Sequence, residues 1–322
     1  RLGVVNGQEH QLCACRLGLL NLDCEVLIAV GGKRLVGNDL QALFLRLGHE
    51  RIVNAGGIRV RTVIDDGDLC RKAVLNDIIG GKRALRNEIL QRMPADIGRY
   101  IEVFGGAGWV LFGREPSSKV MEVFNDYDAE LVNIYRCIKY HPDALQHELD
   151  LLPDAREVFF DYLAQEQVRG LTDIQRAARS IYLIKASFGT DRHTFATAPK
   201  GVCNISASFP AVQERLRRVI VENLDFEHLM KTYDRENALF YCDPPYFETE
   251  KYYRARFQES DHKRLADALH NIKGRFLLSY NDCPQVRELY ADCIIEPVSR
   301  RNMLSAQSVD GYKEVLIRNY EL

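Results

Sequence analysis

The chain has 322 residues, 46% of them hydrophobic and 27% charged, with a formal net charge of -2. These values are ordinary for a globular protein of one large domain or two modest ones, and they give no globally basic signature of nucleic-acid binding. Any contact with nucleic acid must use a local patch rather than the overall field.

No apolar run approaches the roughly 18 residues of a membrane span, so no membrane association is expected. The nine cysteines are odd in number and scattered, with only Cys13 and Cys15 close together. They read as free thiols of a reducing cytoplasm, not as a disulfide frame or a metal site.

The first 75 residues show poor periodicity, and the first methionine is Met93. We expect residues 1–75 to be an atypical segment and the working protein to begin near Val74 or Leu75. A small accessory domain is the alternative. The pattern then sharpens. A helix is predicted over residues 84–93 after Gly80-Gly81-Lys82, and a strand over 100–104. Gly105-Gly106-Ala107-Gly108 follows and opens a helix at Trp109. A strand over 119–124 ends at Asn125-Asp126, and a helix runs over 129–140. Residues 142–217 read mostly as helices with a long loop over 187–209. Strands are expected over 219–221, 238–242, 275–280, 293–296 and 313–318, with helices over 261–272 and 284–290. Strands alternating with helices argue for an α/β fold with a mostly parallel sheet covered on both faces.

The glycine turn at a strand end allows close approach of a ligand to the backbone. An acid about twenty residues on, at the next strand end, is placed for ribose hydroxyls. Asp126 holds that place, and Asp225-Phe226 at a third strand end suits an adenine amine and ring. The third glycine of a dinucleotide fingerprint is missing, since position 111 is Leu, and no P-loop motif exists. A nucleoside cofactor without phosphates, S-adenosyl-L-methionine, is the better match.

The apolar run 238–242 ends in Asp243-Pro244-Pro245-Tyr246. Neither proline has an N–H, so this is a rigid lip rich in hydrogen-bond acceptors. A carboxylate and a proline carbonyl can accept the two hydrogens of an exocyclic amine while the tyrosine stacks on the base. Phe247, Tyr252 and Tyr253, in a loop over 247–258, are candidates to close over that base. His193 and His262 read as surface or capping residues, and the arginines at 215, 217 and 218 as a solvated helix face, with contacts to DNA phosphates as the alternative.

The ordered set Gly80-Gly81-Lys82, Phe104 to Gly108, Asn125-Asp126 and Asp243 to Tyr246 resembles the Dam-type (alpha-group) N6-adenine DNA methyltransferases of bacteria and phages. Residues 182–189, Leu278 to Asp282 and Arg301 to Ser305 extend the resemblance over residues 78–322. One departure is Ile78, where the family usually carries an aromatic.

The resemblance implies a Rossmann-like class I S-adenosylmethionine-dependent methyltransferase sheet with a reversed last strand. It further implies a cofactor half over 76–141, a mostly helical target-recognition insert over 142–217 and a catalytic half over 218–322. Lys82, Phe104, Gly105, Gly106, Gly108, Asp126, Asp225 and Phe226 would bind the cofactor. Asp243, Pro244, Pro245 and Tyr246 would be catalytic, with no metal. Lys185, Arg192, His193 and Lys200 would meet double-stranded DNA, with no obligate protein partner expected. The rival readings are an RNA-base or N4-cytosine enzyme, and an inactive DNA-binding protein of the same fold.

Overall fold

The computed structural model describes five short strands within residues 5–60, and then residues 85–187, 192–196, 208–247, 257–299 and 313–322. The chain divides into two compact units, Arg1–Leu69 and Cys70–Leu322. In the first, β1 (Val5–Asn6) pairs with β2 (Glu9–His10), and β5 (Ile58–Val60) lies between β3 (Ile28–Ala29) and β4 (Val53–Ala55), all antiparallel.

The second unit is a seven-stranded mixed sheet with helices on both faces. In chain order it contains α1 (Arg86–Gln91), β6 (Arg99–Glu102), α2 (Trp109–Gly113), β7 (Met121–Asn125) and α3 (Ala129–Tyr140). Four helices follow: α4 (Pro142–Asp150), α5 (Arg156–Ala164), α6 (Asp173–Ala186) and α7 (Phe209–Leu216). Next come β8 (Val219–Glu222), α8 (Phe226–Tyr233), β9 (Ala238–Cys242), α9 (Glu259–His270) and β10 (Arg275–Asn281). The chain closes with α10 (Pro284–Leu289), β11 (Ile294–Ser299) and β12 (Lys313–Arg318). The spatial order is β11-β12-β10-β9-β6-β7-β8. Strands β8, β7, β6, β9 and β10 run parallel to one another, whereas β12 runs antiparallel to both β10 and β11. This is the sheet of a class I methyltransferase, with the expected reversed last strand.

Alternate strand residues face opposite sides of a sheet, and a sheet buried on both faces reads as a continuous apolar run. β9 does so: all five of its residues are buried. Tyr100, Phe124, Leu239, Tyr241 and Leu277 point to the face covered by α1 to α7, and Ile101, Val123, Phe240, Phe276 and Leu278 to the face covered by α8 to α10. The described residues of segment 142–217 are mostly helical, as expected. Its helices bury Leu145, Phe159, Tyr182 and Phe209 in the same core as Tyr100 and Phe124. Local signals start these helices. Asp128 caps α3 by accepting from the N–H groups of Glu130 and Leu131, and Thr172 and Gln175 form a reciprocal cap on α6.

Candidate active site

From β6 the chain proceeds to β7 and β8 on one side, then returns to place β9 and β10 on the other. β6 and β9 therefore flank a topological switch point, where open parallel sheets bind ligands beyond the strands' carboxyl ends. The glycine turn leaves β6 and the acidic lip leaves β9 at that same end. The two are stitched together by the Val103 N–H, which donates to the Tyr241 carbonyl at 2.9 Å.

The glycine turn is locked by two short bonds, Gly105 N–H to the Asn125 carbonyl and Gly108 N–H to the Gly105 carbonyl, both 2.7 Å. Gly108 has φ 66°, and a Cβ there would lie 2.7 Å from the Phe112 ring, so both backbone and packing call for glycine. Gly106 (φ 49°) is different: a Cβ there would meet nothing within 4 Å. The turn thus faces open space at Gly106 and packs against protein at Gly108.

Asp126 reaches back to this turn. Its carboxylate accepts from Gly106 N–H and Asp128 N–H, each at 2.8 Å. Burial pushes its pKa up to about 6, against the pull of those two N–H groups. The preceding Asn125 is a brace. Its side-chain NH2 donates to the Val103 and Leu224 carbonyls, and its side-chain oxygen accepts from the Leu224 N–H.

In the lip, Pro244 and Pro245 are buried while Asp243 and Tyr246 are half-buried. The Ser279 hydroxyl, from neighbouring β10, donates to Asp243 Oδ1 at 2.9 Å. The Tyr246 hydroxyl donates to Glu314 on β12. An aromatic cluster backs the lip. Tyr246 lies 5.9 Å from Tyr280, and Phe247 stacks on His262 at 3.6 Å. His262 corrects an expectation: it is not a surface or capping residue but 1% exposed, with Nδ1 hydrogen-bonded to the Tyr280 hydroxyl. Asp261 does cap α9, accepting from the Gln258 N–H, and the next side chain turns inward. Tyr252 and Tyr253 lie outside the described residues.

Asp225 and Phe226 begin α8, with Asp225 as its cap. Arg264 of α9 covers them. Its guanidinium donates to both Asp225 oxygens at 3.2 Å, to Glu227 and to Asp261, and sits 4.7 Å above the Phe226 ring. Phe226 and Phe104 lie 5.9 Å apart, so the predicted adenine end and the glycine turn are neighbours.

The predicted DNA-facing residues are more dispersed. Arg192 pairs with Asp128 at 3.2 Å, His193 is exposed and Lys185 is half-buried. Lys200 and Lys82 lie outside the described residues. Arg215 is not on a solvated face: it holds Glu122, which is 4% exposed, together with Arg114. Arg217 and Arg218 are exposed as expected.

Four further residues escaped the sequence reading: Ser279, Glu314, Arg264 and Glu102. Glu102 is 2% exposed and accepts a 2.6 Å bond from the Tyr100 hydroxyl. Burial raises its pKa to about 8 despite that bond, and the charge of Asp243 adds to the rise. An acid inside the apolar run Tyr100-Ile101-Glu102-Val103 was the available signal. Among the described residues, no helix is long and apolar enough to cross a membrane.

Comparison with known proteins meets the same geometry. The family model for D12 class N6 adenine-specific DNA methyltransferase matches residues 79–303. A type II methyltransferase, M1.LlaDCHI of Lactococcus lactis subsp. cremoris, is 26% identical over 274 residues, covering 75% of this chain and 93% of that protein. With a lip and a glycine turn side by side at the switch point of such a sheet, this chain belongs to the D12 class N6 adenine-specific DNA methyltransferases and is an enzyme.

Proposed function

We propose that the enzyme transfers a methyl group from S-adenosyl-L-methionine to the N6 amine of an adenine turned out of duplex DNA. The observation that carries this reading is the shared edge of the glycine turn and the Asp243 lip on adjacent parallel strands. The residues present suit a nucleoside sulfonium. Gly106 leaves open space beside its backbone, and Asp126 offers a half-buried carboxylate next to it. Gly105, Gly106 and Gly108 would hold the methionine part, Asp126 the ribose, and Asp225, Phe226 and Phe104 the adenine. Lys82 would join them at the end nearer the target base. When bound, the cofactor supplies a methyl group made electrophilic by the sulfonium.

The lip does the rest. An N6 amine shares its lone pair with the ring and is a poor nucleophile. Asp243 and the Pro244 carbonyl accept its two hydrogens and turn that lone pair out of conjugation. Ser279 holds the carboxylate in place for this. The proton lost from N6 passes to the Asp243 carboxylate. Pro245 stiffens the backbone and Tyr246 stacks on the base. Catalysis comes from positioning and fixed dipoles, and turning the base out costs a few kcal/mol. Lys185, His193 and Lys200 would contact the DNA. Arg192 would do so only by leaving Asp128. Phosphate contacts of this kind make affinity fall with salt.

Tritiated methyl transfer onto duplex DNA and onto RNA tests the proposal. Asp243→Ala should abolish transfer to DNA while calorimetry shows cofactor binding largely intact. Normal turnover by that variant, or transfer to RNA alone, overturns it. Methylome sequencing of DNA from cells making the chain would give the recognised site.

A further inference from the structure

Three side chains with metal-binding atoms converge at a place the methyl-transfer reaction does not use. His270 ends α9, and Asp292 and Cys293 lead into the edge strand β11. β12 and β10 lie between that strand and β9, which carries the lip. His270 Nε2 is 2.9 Å from Asp292 Oδ1, Cys293 Sγ is 3.6 Å from the same oxygen, and Sγ is 3.9 Å from Nε2. A tetrahedral zinc ion with ordinary bond lengths sets its nitrogen and oxygen ligands about 3.3 Å apart, and its sulfur about 3.6 Å from either. All three separations lie within about 0.4 Å of that figure.

The orientation of His270 suits this role. Nδ1 faces the Ala266 carbonyl at 2.7 Å, and Nε2 faces the Asp292 carboxylate. With Nδ1 directed at the helix carbonyl, Nε2 is the nitrogen that would meet a cation shared with Asp292 Oδ1. A backbone carbonyl behind the imidazole is the usual support for a metal-bound histidine. Tyr290 stacks on the His270 ring at 5.7 Å and sets its plane.

We propose that His270 Nε2, Asp292 Oδ1 and Cys293 Sγ form a three-ligand site for a thiophilic divalent cation of the zinc class, with water as the fourth ligand. Imidazole and thiolate together favour zinc over magnesium or calcium. Asp292 is 70% exposed, so the ion enters from solvent. On binding, the Cys293 thiol releases its proton to bulk water and its sulfur bonds the metal. The bound ion ties the carboxyl end of α9 to the start of β11. The partners stand 22 and 23 positions from His270, a spacing unlike that of a zinc motif, and only the fold joins them.

Cobalt(II) titration of the full chain tests this site independently of methyl transfer. The wild type should show a thiolate-to-cobalt charge-transfer band with tetrahedral d–d absorption. Cys293→Ser and His270→Asn should each lose that signal, and Asp292→Asn should weaken it at least tenfold in affinity. Cys137→Ser, a buried thiol in α3, should keep it. Zinc at a hundredfold excess over its Kd should raise the wild-type Tm by on the order of 5 °C and leave the first two variants unmoved. A wild type without the band at millimolar cobalt overturns the proposal. So do Cys293→Ser and His270→Asn proteins that bind as the wild type does, because the ion would then sit on other thiols.

Discussion

The Tyr246 hydroxyl donates a 3.1 Å hydrogen bond to Glu314 Oε2, fastening the lip to the reversed strand β12. Glu314 is 3% exposed, so this acceptor is fixed in place. Tyr246→Phe keeps the ring but loses the tether. We expect about 1 kcal/mol less stability and a several-fold fall in kcat. Glu314→Gln retains an acceptor and should cost less, while Glu314→Leu should match Tyr246→Phe. Melting curves and single-turnover rates for the two single variants and the pair check this. Strict additivity in Tyr246→Phe/Glu314→Leu would show that the bond couples nothing.

If Asp126 holds the cofactor's ribose, as proposed, cofactor affinity should depend on pH. Its carboxyl is raised from 3.8 to about 6, so it gains a proton as pH falls through about 6 and loses acceptor strength toward ribose hydroxyls. Affinity should rise with pH through that region and level off above it. Calorimetry at a series of pH values measures this, and Asp126→Asn should be flat across the range and weaker than the wild type above about pH 6.

Arg264 sits 4.7 Å above Phe226. An adenine stacked on that face needs about 7 Å between its two flat neighbours, at roughly 3.5 Å per contact. The guanidinium must therefore leave, breaking its bonds to Asp225. Arg264→Ala should bind the cofactor several-fold more tightly. Weaker binding by that variant would instead make the arginine a partner of the adenine.

Glu102 sets a slope in stability. Its folded pKa of about 8 lies above the ordinary glutamate value of 4.5, so the folded state keeps a proton that the unfolded chain gives up. Stability then falls as pH rises from about 4.5 to about 8, by at most about 5 kcal/mol. Glu102→Gln removes that loss. Its Tm should exceed the wild type's at about pH 8 and approach it near pH 5. Parallel Tm profiles for the two proteins would refute the assignment.

Most elements were legible because local chemistry marks them. β9 is an apolar run closed by prolines, and α3 begins at a capping aspartate with helical periodicity behind it. The lip and the glycine turn were legible as motifs, and the switch point brings them together. Their partners were not legible. Ser279 lies 36 positions from Asp243, Glu314 lies 68 from Tyr246, and Arg264 lies 39 from Asp225. Sequence pattern carries burial and caps, but not which distant side chain meets which. His262 and Arg215 show the same limit. Each is polar and was read as solvent-facing, yet each is enclosed because the fold supplies a partner, Tyr280 for one and Glu122 for the other.

One amide sets the mechanical character of the pocket. Asn125 ends β7 and grips Val103 beyond β6 and Leu224 beyond β8, so a single 1%-exposed side chain spans three neighbouring strand tips. Parting β7 from β6 would break its bond to Val103, and parting β7 from β8 would break its two bonds to Leu224. A molecule arriving there finds a mouth of constant width, and adjustment falls to movable side chains such as Arg264 rather than to the main chain.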